Sequence, residues 1–166
     1  MKYRLAVDIG ATRTMLALVD VGSPRIVAHD RPYTETVFPG NRPPGHSLAD
    51  AVRRFLDSQA LTPESVIGVG VGVPGLVNQA IGHVLACPNL RLLDGTDLGP
   101  DASEDLGLPV FLDNNTNLIA LGEHAAGIGQ GVDDLAAVWV GTGIGSGLIL
   151  NGRLYHGADG LAAELG

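Results

Sequence analysis

Cysteine is nearly absent: Cys87 stands alone among 166 residues. No disulfide framework and no cysteine-based zinc site can be built from it, and a reducing, cytoplasmic setting follows. Aromatic residues are few, and basic residues are outnumbered. Ten Lys and Arg face eighteen Asp and Glu, for a net charge of −8, which argues against a broad nucleic-acid surface. No apolar run is long enough to span a membrane. The first apolar run is broken early by Asp8, so it does not read as a secretory signal. There is no Gly-Lys-Ser/Thr triplet, which excludes a P-loop. What is abundant is glycine, 24 residues, about twice the usual share. That excess suggests tight turns or sites lined by backbone. The length fits one domain, or one domain and part of another.

The most informative stretch runs from Pro109 to Gly122. It opens as an apolar strand and closes as a helix with Leu118, Ile119 and Leu121 on it. Between them stand Asp113, Asn114, Asn115, Thr116 and Asn117. A strand end passing into a helix N-terminus is where open α/β sheets place ligands, because the first N–H groups of the helix are free to meet acceptors. One of Asn114, Asn115 or Thr116 can serve as a helix cap. A cap needs one residue, and five polar residues stand in a row.

In chain order, 3–9, 14–20 and 25–29 read as strands joined by short turns, hence antiparallel. Residues 32–45 hold four prolines and read as a loop. Ser47 is a plausible cap for a helix to about Gln59, with Leu48, Ala51, Val52, Phe55 and Leu56 at helical spacing. Residues 66–73 alternate Val and Gly, and the Gly face suggests close approach of another backbone. Short elements are expected at 82–86 and 100–106, and the helix after Asp113 runs to about Ala126. A glycine-rich linker, 127–131, follows. Residues 135–140 read as a buried strand with Trp139 in the core. Then comes a Gly/Thr/Ser turn at 141–147, a strand at 148–150, an Asn151-Gly152 hairpin turn and a return at 153–155. Two domains result: 1–127, and the opening hairpins of a second at 132–166. The second block begins as the first does, with an apolar strand entering a Gly/Thr turn.

Those two turns are candidate phosphate sites. Glycine-rich turns let backbone N–H groups converge on an anion. Thr12, Thr14, Thr142 and Ser146 add hydroxyls, and Asp8 is placed to hold a hydrated Mg²⁺ beside a phosphate.

Five segments then converge on one resemblance. Asp8-Ile9-Gly10-Ala11-Thr12, Gly72-Val73-Pro74-Gly75, Pro88-Asn89-Leu90, Asp113 through Asn117 with Gly122-Glu123, and Gly141-Thr142-Gly143-Ile144-Gly145 resemble the ROK family. That family comprises bacterial sugar kinases, glucokinases among them, and sugar-responsive repressors. The resemblance implies an α/β, ribonuclease-H-like fold of the actin-like ATPase superfamily, and covers the N-terminal half of the usual protein. It implies ATP and Mg²⁺ as cofactors and a hexose as partner. Asp8, Gly10 and Thr12 would belong to the first phosphate turn, and Gly141, Thr142, Gly143 and Gly145 to the second. Gly75, Asn89, Asn114, Asn115 and Glu164 would meet sugar hydroxyls. The family's central pattern is acid-Asn-Asp-x-Asn, and here the catalytic-base position is Asn115. An amide cannot accept the proton of a sugar hydroxyl. Asp113 could substitute only if the turn reoriented it. The family's Cys-rich zinc site and the repressors' winged helix have no counterpart in this sequence, so no DNA-binding element is expected. The rival expectations are a sugar-binding effector domain without catalysis, and a homo-oligomer joined by an exposed hairpin edge.

Overall fold

The computed structural model describes residues 2–23, 25–141, 143–158 and 160–164. They fall into two compact units, Met1–Asp113 and Asn114–Gly166. Among the described residues no helix is long and apolar enough to cross a membrane.

The first unit is built on a five-stranded sheet. Strands β1 (Tyr3–Ile9), β2 (Thr14–Asp20) and β3 (Ile26–Asp30) form the antiparallel meander. β4 (Val66–Val73) then pairs parallel to β1, with Asp8 opposite Gly72. The last strand, β7 (Val110–Asn114), lies outside β4, and the order is β3-β2-β1-β4-β7. Its first end lies by Val69, whose N–H donates to Pro109 at 2.9 Å, and its last end by Gln79, beyond β4. The carboxyl ends of β1, β4 and β7 therefore share one edge. Leu5, Val7 and Ile9 alternate with Arg4, Ala6 and Asp8, so one face of β1 is buried and the other is open. The buried face packs against α2 (Pro44–Ser58) and α3 (Leu98–Leu106), with Leu48, Val52, Phe55, Leu56 and Leu98 in one core.

The segment read as a loop at 32–45 holds a short helix, α1 (Thr34–Val37), and the first residues of α2. Ser47 is not the cap. It lies inside α2, which starts at Pro44 with Pro43 as its cap residue, because proline's fixed φ suits the first helical position. A Cβ at Gly45 would run into Asp101 and stand 3.0 Å from the Leu98 carbonyl, so the glycine lets α3 approach. His46 meets Asp105 at 2.8 Å and Arg42 meets Asp50 at 2.5 Å, tying the polar rim of the same helix pair. The expected close approach on the glycine face of β4 is absent at Gly70, where an added Cβ meets nothing within 4 Å. At Gly68 an added Cβ would touch Pro109, its carbonyl oxygen included, at 3.4 Å, so the neighbouring chain approaches that end of the glycine face and not its middle. The short strand expected at 82–86 is β6 (His83–Ala86), and it forms a hairpin off this edge with β5 (Leu76–Asn78), a strand that the sequence pattern did not mark.

The second unit begins with α4 (Asn115–Ala126), followed by β8 (Leu135–Val140), β9 (Ile144–Leu150) and β10 (Arg153–Leu154) in an antiparallel sheet. α4 packs on β8 and β9. Glu123 closes its end, its Oε2 accepting the Ile128 N–H at 3.0 Å. Two expectations fail here. Trp139 is 56 % exposed and is not a core residue, since it sits on the outer strand of a three-stranded sheet. The glycine turn is also shorter than 141–147, because Val140 already pairs with Ile144 and β9 starts there.

Candidate functional site

In the first unit the residues picked from the sequence gather at the shared edge. The turn after β1 is closed by Gly10, whose N–H donates to the Arg13 carbonyl at 2.9 Å. A Cβ at Gly10 would lie 2.7 Å from that carbonyl, so only glycine fits. The N–H groups of Ala11 and Thr12 have no partner among the described residues and remain for an anion. The turn is braced from outside by Thr34, which pattern reading passed over, and by Thr14, which is buried and does not offer its hydroxyl to a phosphate as expected. Thr34 donates its N–H to the Thr12 carbonyl at 3.0 Å and its hydroxyl to the Gly10 carbonyl at 2.7 Å. Thr14 and Thr34 hydroxyls lie 3.1 Å apart. No periodicity marks Thr34, because its role comes from a pairing that continues past β3.

Asp8 stands beside this turn on the open face of β1. Partial desolvation pushes its carboxyl above the usual carboxylate range, and the Arg31 charge pulls it back. No group of three acidic, histidine or cysteine side chains able to hold a metal occurs among the described residues. A single carboxylate suits Mg²⁺ that keeps its waters and leans on substrate phosphates. Asp8 fits the expected Mg²⁺ in that form, as one carboxylate beside an ion that keeps its waters.

Gly75 and Asn89 are also brought together. A Cβ at Gly75 would collide with the Ala86 carbonyl and stand 2.9 Å from Cys87 Cα. The Cys87 thiol donates to the Pro74 carbonyl at 3.4 Å, and the Leu90 N–H closes a turn on the Cys87 carbonyl at 2.9 Å. Asn89, exposed in that turn, thus sits next to Gly75. Burial pushes the Cys87 thiol up to about 11, with the Asp94 charge adding to it. At the end of β7, buried Asp113 accepts a long hydrogen bond, 3.5 Å, from Gln79 Nε2. Gln79 carried no signal in the sequence, since the tip of the β5–β6 hairpin comes to β7 only in the folded chain.

In the second unit Asn114 is the helix cap. Its Oδ1 accepts the Thr116 N–H at 2.8 Å. The buried Thr116 hydroxyl stands 2.5 Å from that same oxygen and 3.0 Å from the Ser146 carbonyl. The capping reading and the position at the helix start therefore coincide in Asn114. Asn115, half-buried, opens α4, and its side chain has no partner among the described residues. The Gly141 N–H donates to the Gly143 carbonyl at 2.9 Å, and Gly143 is open, with nothing within 4 Å of an added Cβ. Thr142 lies outside the described residues. Gly145 belongs to β9 and pairs with Trp139, and a Cβ there would run into Thr116. Glu164 is exposed, and the neighbouring Ala163 carbonyl accepts the Ser146 hydroxyl.

The sequence pattern of the ROK family matches residues 4–166. The glucokinase of Halalkalibacterium halodurans is 29 % identical over 170 residues, which are 99 % of this chain and 49 % of that protein. The xylose repressor of Caldicellulosiruptor bescii is 37 % identical over 119 residues, 72 % of this chain and 30 % of the repressor. Among solved structures, a ROK family glucokinase from Streptomyces griseus, in complex with glucose and AMPPNP, superposes with a TM-score of 0.80 at 32 % identity. That match covers 99 % of this chain and 49 % of the kinase. The architecture is thus the actin-like ATPase fold of sugar kinases. The chain belongs to the ROK family, and it spans about half the length of the curated glucokinase it matches.

Proposed function

We propose that this chain supplies the sugar-binding half of a ROK-type hexose kinase together with the phosphate turns of its nucleotide site. In this reading residues 1–127 act as the sugar domain and 132–166 as the opening hairpins of the nucleotide domain, a functional division that falls later in the chain than the boundary of the compact units at Asp113 and Asn114. Hexose hydroxyls meet Asn89 beside Gly75, Asn114 and Asn115 at the start of α4, and Glu164. Planar amides and carboxylates suit them, since each can pair with two adjacent hydroxyls. The phosphates of ATP rest on Gly10 and Thr12 and on Gly141, Thr142, Gly143 and Gly145. Asp8 would hold Mg²⁺ through water, and the ion when bound neutralises phosphate charge.

The observation that carries the reading is Asn115: a half-buried amide at the first position of a capped helix, without a side-chain partner among the described residues. It can orient a sugar hydroxyl, but it cannot take that hydroxyl's proton. The chain therefore binds hexose and transfers phosphoryl poorly. The test joins thermal shift with a panel of hexoses to an ADP-release assay on wild type and Asn115→Asp. Glucose is expected to stabilise both, with turnover rising roughly 10²-fold or more in Asn115→Asp. If both stay silent while sugar stabilises the fold, the kinase reading falls. A second reading then stands, favoured by the same amide and by the match to xylose repressors: a non-catalytic, sugar-sensing domain of a ROK regulator. If no hexose shifts the melt, both readings fail.

A further inference from the structure

Pairing between β2 and the chain after it does not stop with β3. Leu16 faces Asp30, and the same register continues. The Thr14 N–H donates to the Pro32 carbonyl at 3.1 Å, Arg13 bridges Tyr33, and the Thr34 N–H reaches the Thr12 carbonyl. Met15 therefore stands opposite Arg31 on one side and opposite Asp8 on the other. Asp8, Met15 and Arg31 form one row across the sheet, about 10 Å from first backbone to last. Residues in one row share a face, and all three are exposed. Arg13, two residues before Met15, shares that face too. Its guanidinium lies 3.4 Å from the centroid of the Tyr33 ring and donates to the Arg31 carbonyl at 3.2 Å. Arg13 is thus held by its neighbours. The Arg31 guanidinium makes no hydrogen bond or salt bridge among the described residues.

A chain with ten basic residues against eighteen acidic ones places two arginines beside one glycine turn. Arg13 is tied down by a ring and a carbonyl, whereas Arg31 has a charge neighbour in Asp8 but no hydrogen bond or salt bridge among the described residues. We propose that Arg31 is a phosphate-binding residue of the first turn, meeting the terminal phosphate of a nucleoside triphosphate whose metal leans on Asp8. The Arg13–Tyr33 stack holds the backbone from which Arg31 projects. A guanidinium presents a planar fork to phosphate oxygens, which an ammonium cannot imitate. The inference rests on the nucleotide reading given above.

Calorimetric titration of the wild-type protein with Mg·AMPPNP, Mg·ADP and glucose is the test, repeated on Arg31→Gln and Arg31→Lys. Arg31→Gln should weaken AMPPNP about tenfold or more, weaken ADP less, and leave glucose affinity unchanged. Arg31→Lys should fall between. AMPPNP affinity in Arg31→Gln equal to wild type, with the same melt, overturns the inference and leaves Arg31 a solvated surface charge. Wild type that binds glucose but no AMPPNP overturns the nucleotide reading itself, and this inference with it.

Discussion

Gly143 and Gly147 stand four residues apart in one glycine-rich run, and the structure gives them opposite duties. A Cβ at Gly147 would lie 2.8 Å from the Ala120 Cβ, 2.8 Å from the Thr116 carbonyl and 3.1 Å from Asn117 Cα. Two of these atoms are helix backbone, so α4 must back away from β9 by roughly 0.5–1 Å to reach ordinary carbon contact. Overpacking of this kind costs about 2–3 kcal/mol. At roughly 2–4 °C per kcal/mol for a chain of this size, Gly147→Ala should melt about 5–10 °C below wild type. Gly143→Ala adds its methyl to open space and its φ is not left-handed, so the melt should not move. If Gly143 serves a phosphate, that variant should instead lose nucleotide affinity. Circular dichroism melts and AMPPNP titrations of both variants give four numbers. Equal melting temperatures for Gly147→Ala and wild type would refute the packing argument. A melt lowered in both would show that the turn, too, is held by contacts.

Three further outcomes follow from single contacts. Asn114→Ala removes the cap on the Thr116 N–H and should cost about 1 kcal/mol in denaturant unfolding; no change in midpoint would show the cap to be redundant. Thr34→Val deletes the hydroxyl donated to the Gly10 carbonyl, so the 10–13 turn should exchange its amide protons faster and bind nucleotide more weakly, with sugar affinity intact. Cys87 ionises near 11 in the fold, above its unfolded value, so the folded state holds its proton more tightly. Its stabilisation is complete below about pH 9 and is lost as pH rises towards 11, by up to roughly 2–3 kcal/mol. The difference between wild-type and Cys87→Ala unfolding curves across that range isolates it, and parallel curves would refute the burial argument.

Local pattern made much of this molecule readable. The strands Tyr3–Ile9, Thr14–Asp20, Val66–Val73 and Leu135–Val140 lie where alternation or continuous apolar character places them. The polar run after Leu112 marks both the cap and the open amide of Asn115, because a helix start is specified by a few neighbouring residues. Glycine was harder to assign. Gly10 is required by its own turn, Gly75 by Ala86 and Cys87 at the end of the β5–β6 hairpin, and Gly145 and Gly147 by the start of α4, about thirty residues back. From the chain alone all four look like turn residues.

The sequence by itself determined the family, the order of the longer strands and helices, and the amide at position 115, since each depends on residues close together along the chain. The tertiary structure alone decided which glycines are turns and which are seats for a helix. It also decided that Trp139 is open, that Gln79 reaches Asp113, and that Arg31 shares a row with Asp8. These depend on which distant segments the sheet brings side by side, and strand register across a sheet leaves no mark in local composition.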